Sequence, residues 1–211
     1  MSAPDTHPDD RPQTYLITPP EFDPAAFADR LAAVLDAVPV ACIRLAPATR
    51  DEDRIARGAD TLREIAHARD VALVIADHFL LAQRLGLDGV HLSDGARNVR
   101  KARKALGGDA IVGSFCGTSR HDGMTAGEAG ADYVAFGPVG ETPLGDGSRA
   151  GRDIFAWWSE MIELPVVAEG ALTPPLIEAF APVTDFFAIG EEIWSEDDAA
   201  EALQRLLAPL G

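Results

Sequence analysis

The chain has 211 residues, 47% of them apolar, which is enough for one domain of ordinary size or two small ones. Its 34 acidic and 18 basic side chains give a net charge of −16. That balance excludes the basic footprint of a nucleic-acid surface and argues against docking on anionic lipid; it reads as solubility.

Residues 1–13 open with MSAPDTHPDDRP and read as a disordered acidic tail, with His7 part of it. The tail lacks a basic n-region and an apolar h-region, so it is not a signal peptide, and no apolar run is long enough to span a membrane. YLIT at 15–18 is the first strand. Asp23-Pro24 then supplies an N-cap with Pro at the first helical position, and Phe27, Leu31, Val34, Leu35 and Val38 follow at helical spacing until Pro39. Strand two is Val40 to Arg44, and helix two runs from about Asp51 to His67. The apolar run Val71 to Ala76 suits a strand covered on both faces. Asp77-His78 stands at its C-terminal end, ahead of a short helix from Phe79 to Leu85.

Strand four is Gly89 to Leu92, followed by a basic helix from about Ala96 to Leu106. Strand five is Ala110 to Phe115, and helix five runs from near Ser119 to near Gly130. Strand six, Tyr133 to Phe136, opens into the longest loop, GPVGETPLGDGSRA, over 137–150. A helix with Phe155, Trp157, Trp158 and Met161 comes next, its aromatics serving the core or a homodimer contact. Strand seven is Pro165 to Ala168, a short helix spans Pro174 to Phe180, strand eight is Thr184 to Ile189, and a final helix covers Asp197 to Ala208.

This order gives eight strands that alternate with helices, which suits an open doubly wound sheet or a closed barrel; eight short, evenly spaced units favour a single (β/α)₈ TIM barrel over residues 14–211. In that fold the site lies where strands run into helices, and the loops after strands seven and eight commonly take phosphate. Asp77 can hold a cation or cap the following helix; Arg44 can meet a phosphate or pair with a local carboxylate. His78 can act as a general base near neutrality, whereas His91, in mid-strand, reads as a barrel-core histidine. Cys42 and Cys116 read as small buried residues; two cysteines are too few for a disulfide framework and fit a reducing cytoplasm.

From YLIT at 15–18, DHFLLAQRLGLDGVHL at 77–92, AGEAGADYVAFGPV at 126–139, PVVAEGA at 165–171 and FFAIG at 186–190, the chain resembles the thiamine-phosphate synthase and thiazole tautomerase superfamily. The resemblance covers about Tyr15 to Leu207 and implies a (β/α)₈ barrel. The synthases join hydroxymethylpyrimidine diphosphate to a thiazole phosphate with Mg²⁺ and release diphosphate, as part of thiamine biosynthesis. The tautomerases isomerise a thiazole phosphate carboxylate. Carried over, the resemblance implies Asp77 as a Mg²⁺ ligand and Arg44 as the residue facing the diphosphate; Asp94 stands close enough in sequence to substitute as the second ligand, and His78 joins Arg44 as a candidate catalytic residue. It implies Ser114, Thr118, Thr142, Gly170, Gly190 and Glu191 as substrate-binding. The family's second metal-binding Asp falls on Ala96, and the lysine expected after strand six is absent, leaving Arg149 or Arg152 to replace it. A non-catalytic barrel binding a small phosphorylated ligand, or a tautomerase-like isomerase, are the other readings.

Overall fold

A computed structural model describes residues 11–143 and 147–211. The expectations placed on residues 1–10, including His7, and on 144–146 of the long loop lie outside the described residues. The elements are β1 (Gln13–Ile17), α1 (Pro24–Ala37), β2 (Cys42–Leu45), α2 (Glu52–His67), β3 (Ala72–Ala76), α3 (Phe79–Leu85), β4 (Gly89–Leu92) and α4 (Val99–Leu106). They continue with β5 (Ile111–Phe115), α5 (Arg120–Glu128), β6 (Tyr133–Phe136), α6 (Arg152–Met161), β7 (Val166–Glu169), α7 (Pro174–Phe180), β8 (Phe186–Ile189), α8 (Glu191–Trp194) and α9 (Ala199–Leu207). The strands are parallel and close in sequence order into a barrel, with Tyr15 of β1 opposite Cys42 of β2 on one side and Ala188 of β8 on the other. This is the (β/α)₈ barrel that the alternation predicts. Among the described residues, no helix is long and apolar enough to cross a membrane.

Local chemistry fixes where the helices start. Asp23 accepts from the Ala26 N–H at 2.9 Å, Asp51 from the Asp53 and Arg54 N–H groups, and Ser119 from that of Asp122. Each satisfies a first-turn donor that has no partner within the helix. Helix four differs from expectation: residues Gly95–Asn98 form a 3₁₀ turn before α4 begins. The last helix begins at Ala199, because Asp198 caps it through the Glu201 N–H.

An aspartate ahead of each of three strands sets the register. Asp88, Asp132 and Asp185 precede β4, β6 and β8, and their carboxylates accept from Leu73, Val112 and Val166 of the preceding strands at 2.7, 2.7 and 2.8 Å. The GLD and GAD motifs are therefore clasps at the N-terminal end of the barrel, the end that serves stability. Asp185 also accepts the Gln13 N–H through its backbone carbonyl at 2.8 Å, which draws β1 in at Gln13.

Strand alternation separates two cores. Leu16, Ile43, Leu73, Val90, Val134 and Phe187 face outward and pack beneath the helices. Tyr15, Cys42, Val74, Tyr133, Ala135, Val167 and Ala188 fill the barrel interior. Gly113 is required there: a Cβ on it would stand 2.0 Å from the Tyr133 ring. Trp158 and Trp194 belong to the outer core, donating their indole N–H groups to the Leu164 and Ile17 carbonyls. Trp157 is half-buried, with the Arg120 guanidinium 5.2 Å from its ring centroid.

Candidate functional site

The C-terminal ends of the strands hold the chemistry, and the barrel interior beneath them is polar. Inward positions of β1, β4 and β6 carry Tyr15, His91 and Tyr133. Their side chains form one chain: His91 Nδ1 lies 2.9 Å from the Tyr133 hydroxyl, which lies 2.8 Å from that of Tyr15. Burial first, then the charge of Arg44, holds the His91 imidazole well below its ordinary pKa, so it is neutral. Burial likewise pushes both tyrosine hydroxyls upward. His91 is a core histidine, as its place in mid-strand predicts.

Arg44 sits one layer higher, in β2. Its Nη1 donates to Glu169 Oε2 at 3.1 Å, and its guanidinium lies 5.7 Å from the Tyr15 ring centroid. Burial alone would lower the Arg44 pKa, but Glu169 and the two tyrosines outweigh it, and the net shift is upward. Of the two readings left open by the sequence, pairing with a local carboxylate is thus realised. Glu169, but not Arg44, borders the cavity above.

That cavity, of about 1110 Å³, opens over β1, β6, β7 and β8. It brings together Thr142, Gly170, Gly190 and Glu191 with Glu169 and Glu192. Its floor is shaped by the segment after β6, which runs alongside the segment after β7: Val139 and Gly140 donate to the carbonyls of Glu169 and Gly170 at 3.0 and 2.9 Å. The GPVG stretch is therefore an extension of the sheet before the loop leaves it.

Several of the acids around this cavity have partners. Glu169 carries Arg44, and Glu141 at the rim pairs with Arg149 at 3.4 Å. Glu192 accepts the Leu172 N–H through Oε1 at 3.0 Å and the Gly190 N–H through Oε2 at 2.8 Å. The Gly190 amide, expected to face a phosphate, is thus engaged by Glu192. Of the two arginines expected to replace the missing lysine, Arg152 donates through Nε to the Ala179 carbonyl at 2.8 Å and does not border the cavity. Arg149 is placed at the rim by its bond to Glu141.

A second neighbourhood lies over β3 and β4. Asp77 follows β3 with φ +60, and its carboxylate accepts the Ser93 N–H at 2.7 Å and the Ser93 hydroxyl at 2.8 Å. It does not cap α3; His78 occupies the cap position, half-buried, without a side-chain capping bond. Asp94 Oδ2 accepts from Asn98 at 2.6 Å, while Oδ1 is buried without a hydrogen-bond partner. Among the described residues no three His, Cys, Asp or Glu side chains cluster as metal ligands.

Ser114 is fully buried in β5, its Oγ 3.5 Å from Cys116 Sγ, and Thr118 is exposed on the following turn. Neither borders the large cavity. The sequence reading passed over the Tyr15–Tyr133 pair. The signal was present, in two tyrosines at inward positions of β1 and β6. It also passed over Asn98, although its spacing from Asp94 is that of neighbours on one helical face.

The chain matches the family model described as thiamine monophosphate synthase over residues 14–190. It is 46% identical over 186 residues to a thiamine-phosphate synthase of Rhodospirillum centenum, covering 86% of this chain and 88% of that protein. A thiamine-phosphate synthase of Erythrobacter litoralis is 41% identical over 197 residues, 89% of this chain and 91% of its own. Among solved structures, a thiamine phosphate pyrophosphorylase from Pyrococcus furiosus has a TM-score of 0.80 at 21% identity, covering 94% of this chain and 95% of that one. This last likeness speaks to the fold.

Proposed function

We propose, for a chain that belongs to the thiamine monophosphate synthase family, that it joins hydroxymethylpyrimidine diphosphate to thiazole phosphate and releases diphosphate. The observation that carries this is the 46% identity to a thiamine-phosphate synthase across 86% of the chain. It is a transferase of thiamine biosynthesis.

The residues support a division of labour. The diphosphate needs cations as it departs. Arg44 supplies one at the head of the barrel, held in place by Glu169. Arg149 supplies a second at the rim, in the role of the missing lysine. The thiazole phosphate is received by the loops after β7 and β8, where Gly170, with φ +94, brings backbone close to the cavity. Thr142 and Glu191 border the same space. His78, half-buried and next to Asp77 in the chain, is the candidate general base of the second neighbourhood.

The residues over β3 and β4 fit Mg²⁺. That ion uses one or two carboxylates and completes its shell with water and substrate phosphate oxygens, so two aspartates suffice. The unpartnered Asp94 Oδ1 is an oxygen that such an ion would satisfy, and Ser93 orients the Asp77 carboxylate. When bound, Mg²⁺ would neutralise charge on the diphosphate.

The test is to incubate the protein with both substrates and Mg²⁺. Thiamine phosphate and diphosphate are expected in equal amounts, with neither formed when one substrate is left out. Rearrangement of a thiazole phosphate carboxylate supplied alone, without diphosphate release, would assign an isomerase instead.

A further inference from the structure

We propose that Glu192 is a positioning residue: its carboxylate ties the loop after β7 to the loop after β8 and holds the conformation in which their amides meet the substrate's phosphate. The inference rests on the phosphate-binding role given to these loops above, and it concerns how the loops are held.

The loop after β7 has an unusual backbone. Gly170 and Ala171 both have positive φ, at 94 and 53. Gly170 accepts this freely, and a side chain there would collide with Pro138, since a Cβ would lie 2.8 Å from the Pro138 Cβ. Ala171 has no such freedom; its Cβ disfavours the left-handed region, and a residue stays there only when its surroundings over-determine it. Two contacts do so. On one side Gly140 packs so closely that a Cβ on it would stand 2.0 Å from the Ala171 carbonyl oxygen. On the other, the amide of the next residue, Leu172, donates to Glu192 Oε1 at 3.0 Å.

The second oxygen of the same carboxylate accepts from Gly190 in the neighbouring loop at 2.8 Å. One side chain therefore bridges two loops with one oxygen on each. Charge-assisted bonds of this kind are stronger than neutral ones. A carboxylate merely standing in for a phosphate would have to leave when substrate arrived. The phosphate oxygens would then take over the Leu172 and Gly190 amides, and removal of Glu192 would leave binding unchanged or tighter. The strut reading requires no such departure: Leu172 and Gly190 keep their bonds, and the phosphate meets other amides of the same two loops.

The test compares wild type with Glu192→Ala, Glu192→Gln and the double variant Glu192→Ala/Ala171→Gly. It reads thiazole phosphate affinity by calorimetry and KM for each substrate by kinetics. Glu192→Ala should weaken thiazole phosphate about tenfold, the scale of one lost charged hydrogen bond, with the KM for pyrimidine diphosphate within about twofold of wild type. Ala171→Gly should restore much of the loss, because glycine holds the left-handed turn without the strut. Glu192→Gln keeps one acceptor and should fall between, which also serves if the alanine variant does not fold. Unchanged or tighter thiazole phosphate binding in Glu192→Ala or Glu192→Gln would overturn the strut in favour of a competing carboxylate. Calorimetry needs no turnover, so a wild type that binds thiazole phosphate without forming product would contradict the transferase while still testing the strut. A wild type that does not bind thiazole phosphate would overturn the strut.

Discussion

Arg44 Nη1 lies 3.1 Å from Glu169 Oε2, an ion pair that joins β2 to β7 across the top of the barrel with side chains only 9% and 16% exposed. Removing one partner leaves the other charge buried and unpaired. Glu169→Gln should therefore cost about 3–5 kcal/mol in urea unfolding. Arg44→Met should cost a similar amount, and the double variant less than the sum, because the two groups share one interaction. On the proposed role of Arg44 as a cation for the departing diphosphate, Arg44→Met should also lower kcat/KM about a hundredfold. Normal turnover in Arg44→Met would remove it from the chemistry.

The His91–Tyr133 contact predicts a pH dependence of stability. Burial and Arg44 hold the folded His91 pKa well below its ordinary value. The unfolded chain takes up a proton below about pH 6.5, whereas the folded chain resists it. Stability is thus full above about pH 6.5 and falls as pH drops toward the lower folded value. Urea midpoints at about pH 7.5 and 5 should fall further in wild type than in His91→Gln, since the other titrating groups are common to both. Equal falls would show that His91 is not held neutral.

The two arginines at the long loop should behave differently. Arg149 pairs with Glu141 at the cavity rim, while Arg152 is bound to the Ala179 carbonyl. Arg149→Ala should raise the KM for pyrimidine diphosphate about tenfold, as loss of one charged contact. Arg152→Ala should leave that KM within about twofold of wild type. Steady-state kinetics with thiazole phosphate saturating distinguishes them; the reverse order would assign the lysine's role to Arg152.

Both thiols should be inert in the folded protein. Burial pushes Cys42 up to about 12 and Cys116 up to about 11, so neither supplies thiolate near neutral pH. Iodoacetamide at about pH 7.5 should label neither until urea unfolds the chain. Labelling of either in the native protein would contradict this burial.

The architecture was legible because its signals are local. Pro24, Ser119 and the GLD and GAD motifs mark their elements within a few residues, and β4, β6, α3 and α7 fall where the sequence places them. The arrangement of the site was less legible because it depends on pairs distant in the chain. Arg44 and Glu169 are each recognisable as strand-end residues, but only barrel closure makes them partners. The Gly190 amide looked available because nothing adjacent announces that the side chain two residues on turns back to it. In the sequence Asp77 suits a ligand or a cap; its bonds to Ser93 depend on the β3–β4 register.

The most direct test is the rate of thiamine phosphate formation from the two substrates as Mg²⁺ is titrated, in wild type and in Asp77→Asn. Asparagine tolerates the positive φ at this position and can still accept from Ser93, so the backbone is preserved while the charge is lost. The account predicts turnover that requires Mg²⁺ in wild type and falls at least about a hundredfold in the variant. Correctly folded wild-type protein that forms no thiamine phosphate at any Mg²⁺ concentration would contradict it.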